Sequence, residues 1–98
     1  MAFKRLDPQS AQSSDGFTLR SRDRYYYEYC EQDHVMRVIV DPSYDAPTGT
    51  YSEVVSEASL KEWQPPFNEE AVSSEASERI KRNVSAALTF LRIPHRFE

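Results

Sequence analysis

The sequence predicts an α+β fold: an antiparallel β-meander of three to five strands with one C-terminal amphipathic helix packed on one face. Two observations carry this expectation. Two alternating runs between Arg24 and Asp41 mirror each other about Gln32-Asp33. Between Ser74 and Leu91, apolar residues recur at three- and four-residue spacing. A chain of 98 residues with a net charge of −4 has room for one domain with one modest core.

The hairpin sets its own register. With Glu31 opposite His34, Tyr29 faces Met36, Tyr27 faces Val38 and Tyr25 faces Val40, which makes one aromatic and aliphatic face. The other face sets Glu28 against Arg37 and Arg24 against Asp41, with Tyr26 against Ile39 and Cys30 against Val35. Opposite charges across strands add a few tenths of a kcal/mol, roughly. A slip of one residue would destroy both patterns, because side chains alternate with period two.

In chain order, residues 1–15 read as a flexible tail, since Pro8 to Asp15 offers too little apolar surface to offset its ordering entropy. The single domain then spans residues 16–98. Asp15-Gly16 marks a turn, and Phe17-Thr18-Leu19-Arg20 is a short strand with Phe17 and Leu19 inward. Ser21-Arg22-Asp23 connects it to the tyrosine-rich strand. From Asp41 to Gly49 two prolines and a glycine signal a loop, and Thr50 to Val55 reads as a further strand. Ser56 to Glu62 is open between a short helix and coil.

Trp63-Gln64-Pro65-Pro66-Phe67 is an extended segment, because both prolines lack a donor and Pro65 restrains Gln64. Ser73 or Ser74 caps the helix, with Glu75 and Glu78 in its first turn. Ala76, Ile80, Val84, Ala87, Leu88 and Leu91 form its stripe, and the tyrosine face of the hairpin is the partner for that stripe. Ile93 to Phe97 alternates and adds a last edge strand, an edge because of Pro94.

Chemistry is sparse. Cys30 and His34, near the hairpin end, are the pair that nucleophilic catalysis would use, and His95 is the only other histidine. No nucleophile motif accompanies them, so the chain reads as non-enzymatic. Two histidines some sixty positions apart give no metal site, and the glycines at 16 and 49 give no phosphate loop. No cofactor is expected. Asn83-Val84-Ser85 matches a glycosylation sequon, but Val84 belongs to the packing stripe. Leu6-Asp7-Pro8-Gln9 stands where the apolar core of an export signal would be, and no apolar run is long enough for a bilayer. The expectation is a cytoplasmic protein without a membrane partner. A lone cysteine agrees with that compartment.

Charge is the more informative signal. Asp41, Asp45, Glu53, Glu57, Glu62, Glu69, Glu70, Glu75 and Glu78 stand against the single base Lys61, and from Arg79 onward the balance reverses. An acidic surface of Asp41, Asp45, Glu53, Glu57, Glu62, Glu69 and Glu70, with Trp63 and Phe67 as aromatic anchors, would suit a basic protein partner. Trp63 has a second reading, as a lid on the open end of the core. Two alternatives stand beside this one: a nucleic-acid binder using Arg79, Lys81 and Arg82, which the acidic balance disfavours, and a homodimer through an exposed strand edge.

Hairpin strands, then Trp63 to Phe67, then a helix opening on Ser74-Glu75, then Ile93 to Phe97, resemble the small immunity proteins of bacterial toxin–immunity systems over residues 17–97. The resemblance implies a cytoplasmic, antitoxin-like protein that binds and blocks a toxin domain, a basic one to suit the acidic surface, without catalysis. It carries over no functional residue.

Overall fold

Among the described residues seven strands lie in chain order across one curled, mixed sheet, and one α-helix packs on it. The computed structural model describes residues 2–98. The strands are β1 (Phe3–Asp7), β2 (Ser10–Ser13), β3 (Phe17–Asp23), β4 (Tyr26–Glu31), β5 (His34–Asp45), β6 (Thr50–Val55) and β7 (His95–Phe97), with α1 (Ser74–Phe90) between β6 and β7. Every pair is antiparallel except β6 with β7. That parallel pair follows from connectivity, since the chain returns through α1, the long crossover that parallel strands require. The α+β class stands; the strand number exceeds the three to five expected.

The β4–β5 register is the one the alternation predicts: Tyr27 opposite Val38, Glu28 opposite Arg37, Tyr29 opposite Met36 and Glu31 opposite His34. Tyr27, Tyr29, Met36, Val38 and Val40 are buried against Ile80, Val84, Ala87 and Leu88 of α1. Tyr25 departs from the expectation. It is 57 % exposed and lies in the β3–β4 turn, where its N–H donates to Asp23 Oδ1 at 2.7 Å. An Asp side chain that caps the backbone two residues on makes a turn of its own. The β3–β4 turn is therefore Arg24-Tyr25, not Ser21 to Asp23, and the Arg24–Asp41 pair does not form in the ladder. Glu28 also takes a different partner: Arg22 donates to it at 2.9 Å, while Arg37 lies over the Tyr26 ring.

Residues 3–13, read from the sequence as tail, form β1 and β2. Small residues make this work without much apolar surface. Ala11 is fully buried opposite Leu19, and the buried Ser10 accepts the Ser21 N–H through its hydroxyl at 3.0 Å. Phe3 supplies the anchor, edge-on to Phe17 and stacked on Phe90 of α1.

The second difference is β5, which continues through Pro42 to Asp45 where a loop is predicted. The Glu53 N–H donates to the Pro94 carbonyl at 2.9 Å, away from β5. The Pro42–Glu53 pair is thus a non-hydrogen-bonded one, and no donor is missed at the proline. Past Val40, β4 has ended and β5 pairs with β6 alone.

After β6 the chain turns back along β5 as a 3-10 turn (Glu57–Lys61). Its Ser59 Oγ accepts the Ile39 N–H at 3.1 Å, and Gln64 N–H reaches the Val35 carbonyl at 2.7 Å. This run delivers Leu60 and Trp63 to the core. Ser73 caps α1 by accepting the Ala76 N–H at 3.1 Å. At the other end Arg92 has φ 61, and its N–H and that of Ile93 return to the Thr89 and Leu88 carbonyls. That is the Schellman ending with arginine where glycine is usual.

Four substitutions test this architecture by urea denaturation. Val38→Ala is expected to cost about 1–3 kcal/mol through lost burial and the cavity left behind, and Trp63→Ala about 3–5 kcal/mol. Ser73→Ala is expected to cost about 1 kcal/mol and Ser74→Ala next to nothing; equal losses at the two serines would refute the cap.

Candidate functional site

The acidic surface expected from the sequence is divided in the fold. Gln64 is hydrogen-bonded to Val35, near the start of β5, whereas Asp45 ends that strand. Ten residues of strand separate the two, about 33 Å at the usual rise per residue. Trp63, Phe67, Glu69 and Glu70 belong to the first end; Asp41, Asp45 and Glu53 belong to the second. Glu57 lies between them and is held by Lys81, which lowers its carboxyl pKa. Glu62 is exposed on the connecting run.

The first end is closed by its own side chains. Trp63 is 5 % exposed, so it is a core residue and not a free anchor. The His34 ring stacks on Phe67 with centroids 3.8 Å apart and meets Trp63 edge-on at 4.9 Å. Its two nitrogens reach Glu70 Oε2 at 2.9 Å and Asp33 Oδ1 at 2.8 Å. A ring with a carboxylate at each nitrogen favours the imidazolium. Hydrogen bonding to Glu70, and then to Asp33, raises the His34 pKa. His34 is thereby a clasp between the β4–β5 turn and the segment after Pro66.

The second end is open. Along β5 and β6 the inward-facing pairs run Val40–Val55, Pro42–Glu53 and Tyr44–Tyr51. The first pair is buried in the core. The last is not: Tyr44 and Tyr51 are 56 % and 66 % exposed, their rings tilted together with centroids 4.6 Å apart. Glu53 stands between, at the floor of a cleft of about 340 Å³ shared with Gln9, Ser21, Asp23, Arg24, Tyr27 and Pro42. Its Oε2 is closed off from solvent and has no hydrogen-bond partner among the described residues. Burial, and then the nearby Asp41 charge, raise the Glu53 pKa. Burial, followed by the Glu53 and Asp7 charges, pushes the Tyr27 phenol up to about 12. No lysine or arginine occurs between Asp41 and Val55. In the sequence the loop predicted over residues 41–49 hides the alternation of Tyr44 with Val40, and with it the tyrosine pair.

The other candidate groups are engaged elsewhere. Cys30 and His34 stand on opposite faces, Cys30 opposite Val35 and His34 opposite Glu31, so they form no dyad. Burial raises the Cys30 pKa, which disfavours the thiolate. His95 pairs with Ser85: the Ser85 hydroxyl lies 2.8 Å from Nε2, and Nδ1 lies 2.9 Å from the Ile93 carbonyl. With Nδ1 donating to that carbonyl, Nε2 accepts from the serine, and the pair ties α1 to β7. Arg79 makes a two-pronged contact with Glu31, at 2.6 and 3.2 Å, and Lys81 holds Glu57. Asn83 of the sequon donates to the Tyr29 hydroxyl at 3.0 Å. No group of three or more potential metal ligands occurs among the described residues, and no described helix is long and apolar enough to cross a membrane. No protein family, curated protein or solved structure matches this chain.

The clasp predicts a pH dependence of known sign. Because the folded-state pKa of His34 is raised above 6.5, its contribution to stability is complete below that value and is lost as pH rises through the folded pKa. The urea midpoint is therefore expected to fall between about pH 6 and pH 8, and to fall less in His34→Phe. An equal fall in parent and variant would assign the dependence to another group.

Proposed function

We propose that the chain is a non-enzymatic protein-interaction module of the antitoxin-like kind, and that the inner face of the β5–β6 arm receives a basic segment of a protein partner. One observation carries the reading: Tyr44 and Tyr51 stand together and exposed on an arm with three acids, Asp41, Asp45 and Glu53, and no base. Neither ring is needed by the core. Tyrosine is among the side chains that most often carry binding energy, and an acidic field raises the association rate of a basic partner.

The rivals draw less support from the same side chains. Of the three bases a nucleic-acid site would use, Arg79 and Lys81 are already paired with Glu31 and Glu57. Pairing through a free edge is opposed by Lys4, Arg5 and Asp7 on β1 and by the three-residue length of β7.

The test uses the polypeptide encoded beside this chain, as a toxin gene stands beside its immunity gene. Tyr44→Ala with Tyr51→Ala is expected to weaken that complex by about 2 kcal/mol or more while thermal unfolding stays within about 0.5 kcal/mol of the parent. Glu69→Lys with Glu70→Lys is expected to leave affinity unchanged. If the glutamate reversals abolish binding and the tyrosine changes do not, the binding surface is the His34 end and this assignment is wrong.

A further inference from the structure

We infer that the cleft above Glu53 is a subsite for one cationic side chain, a guanidinium or an ammonium, donated by the partner segment. The inference deepens the reading above and rests on it for the source of the cation. The geometry is that of a receptacle. Glu53 forms the floor, the buried Tyr27 and the half-buried Pro42 the walls, and the β3–β4 turn with Asp23 the rim. Buried polar atoms in folded proteins nearly always have a partner, so an orphan carboxylate oxygen asks for one. Burying a carboxylate without a partner costs free energy, which a cation would recover on arrival.

The position also suits a long side chain. One inward step along β5 separates Pro42–Glu53 from Tyr44–Tyr51, about 7 Å. A guanidinium at Glu53 would therefore lay its stem along the two tyrosine rings, where a cation is attracted as well. The terminal torsion of a glutamate is soft, so the carboxylate can turn its orphan oxygen toward the mouth. Arg24 is the one base on the rim, and its guanidinium lies over Tyr25 at 5.9 Å, with no hydrogen bond to Glu53.

The experiment needs no protein partner. N-acetyl-arginine amide is titrated into protein labelled with carbon-13 at glutamate carboxyls, with N-acetyl-citrulline amide as the neutral control of the same shape. The expected result is a saturable shift of the Glu53 carboxyl resonance and a fall in its apparent pKa with the arginine compound, and neither with citrulline. Glu53→Gln is expected to weaken the accompanying shift of the Tyr27 ring resonances about tenfold, the value of one charge-assisted contact. A Glu53 resonance that ignores the arginine compound, or answers citrulline equally, overturns the subsite. So does a clear rise of the Glu53 pKa in Arg24→Ala, which would mean that Arg24 already fills the cleft. Either failure leaves the tyrosine variants and the protein partner to judge the broader reading separately.

Discussion

Period-two alternation in β4 and β5 is the constraint on which the rest of the molecule depends. It sets Tyr27, Tyr29, Met36 and Val38 on one face, and that face is what α1 packs against. Neither part is stable alone: a 17-residue helix is marginal in water, and a sheet with this face uncovered would expose aromatic surface. Register and helix are then locked by polar bonds as well as by burial. Asn83 donates to the Tyr29 hydroxyl, that hydroxyl donates to Glu31, and Arg79 clamps Glu31 from the helix. A slipped register would move Tyr29 to the solvent face and leave Asn83 and Arg79 without these partners.

The same register creates the open end. β4 has six residues and β5 has twelve, so the inner face of β5 outruns both the strand beside it and the helix beneath it. β6 follows β5 outward, and the alternation carries on without a core to serve. Val40–Val55 is the last pair buried in the core; Pro42–Glu53 and Tyr44–Tyr51 are presented instead of buried. The arm is thus an overhang of the core face, which explains why it pairs aromatic rings with an uncompensated carboxylate.

What was legible in the sequence was whatever rested on periodicity. The β4–β5 register, the inward Phe17 and Leu19 of β3 and the α1 stripe follow from spacing alone, and the edge position of β7 follows from Pro94 beside it. What was not legible rested on neighbours far along the chain. Ser10, Ala11 and Ser13 look like tail until Ser21, Leu19 and the helix supply partners that small residues can approach closely. Pro42 looks like a loop until Glu53 turns its N–H to Pro94 and makes the proline's missing donor irrelevant. Asp23 moved the β3–β4 turn by capping Tyr25, a local hydrogen bond stronger than the alternation it interrupted. The acidic run predicts one surface because it is continuous in sequence; β5 is long enough to carry its members to opposite ends.

The two ends differ in the quantity that separates scaffold from site. At the His34 end the groups that face the fold are engaged: both imidazole nitrogens meet carboxylates, the Gln64 N–H donates to Val35 at the edge of β5, and Trp63 and Phe67 pack on the His34 ring. Little is left there to offer another molecule. At the arm the balance is reversed, with two exposed rings, an orphan carboxylate oxygen and acids that lack a cation among the described residues. Each of these weakens the isolated fold slightly and would be relieved by a partner carrying positive charge on flexible stems. Sequences whose local choices otherwise agree with the fold tend to break that agreement where they bind. In this chain the breaks coincide on one face of one hairpin, and that coincidence, more than any one residue, is what the proposed binding role of the arm rests on.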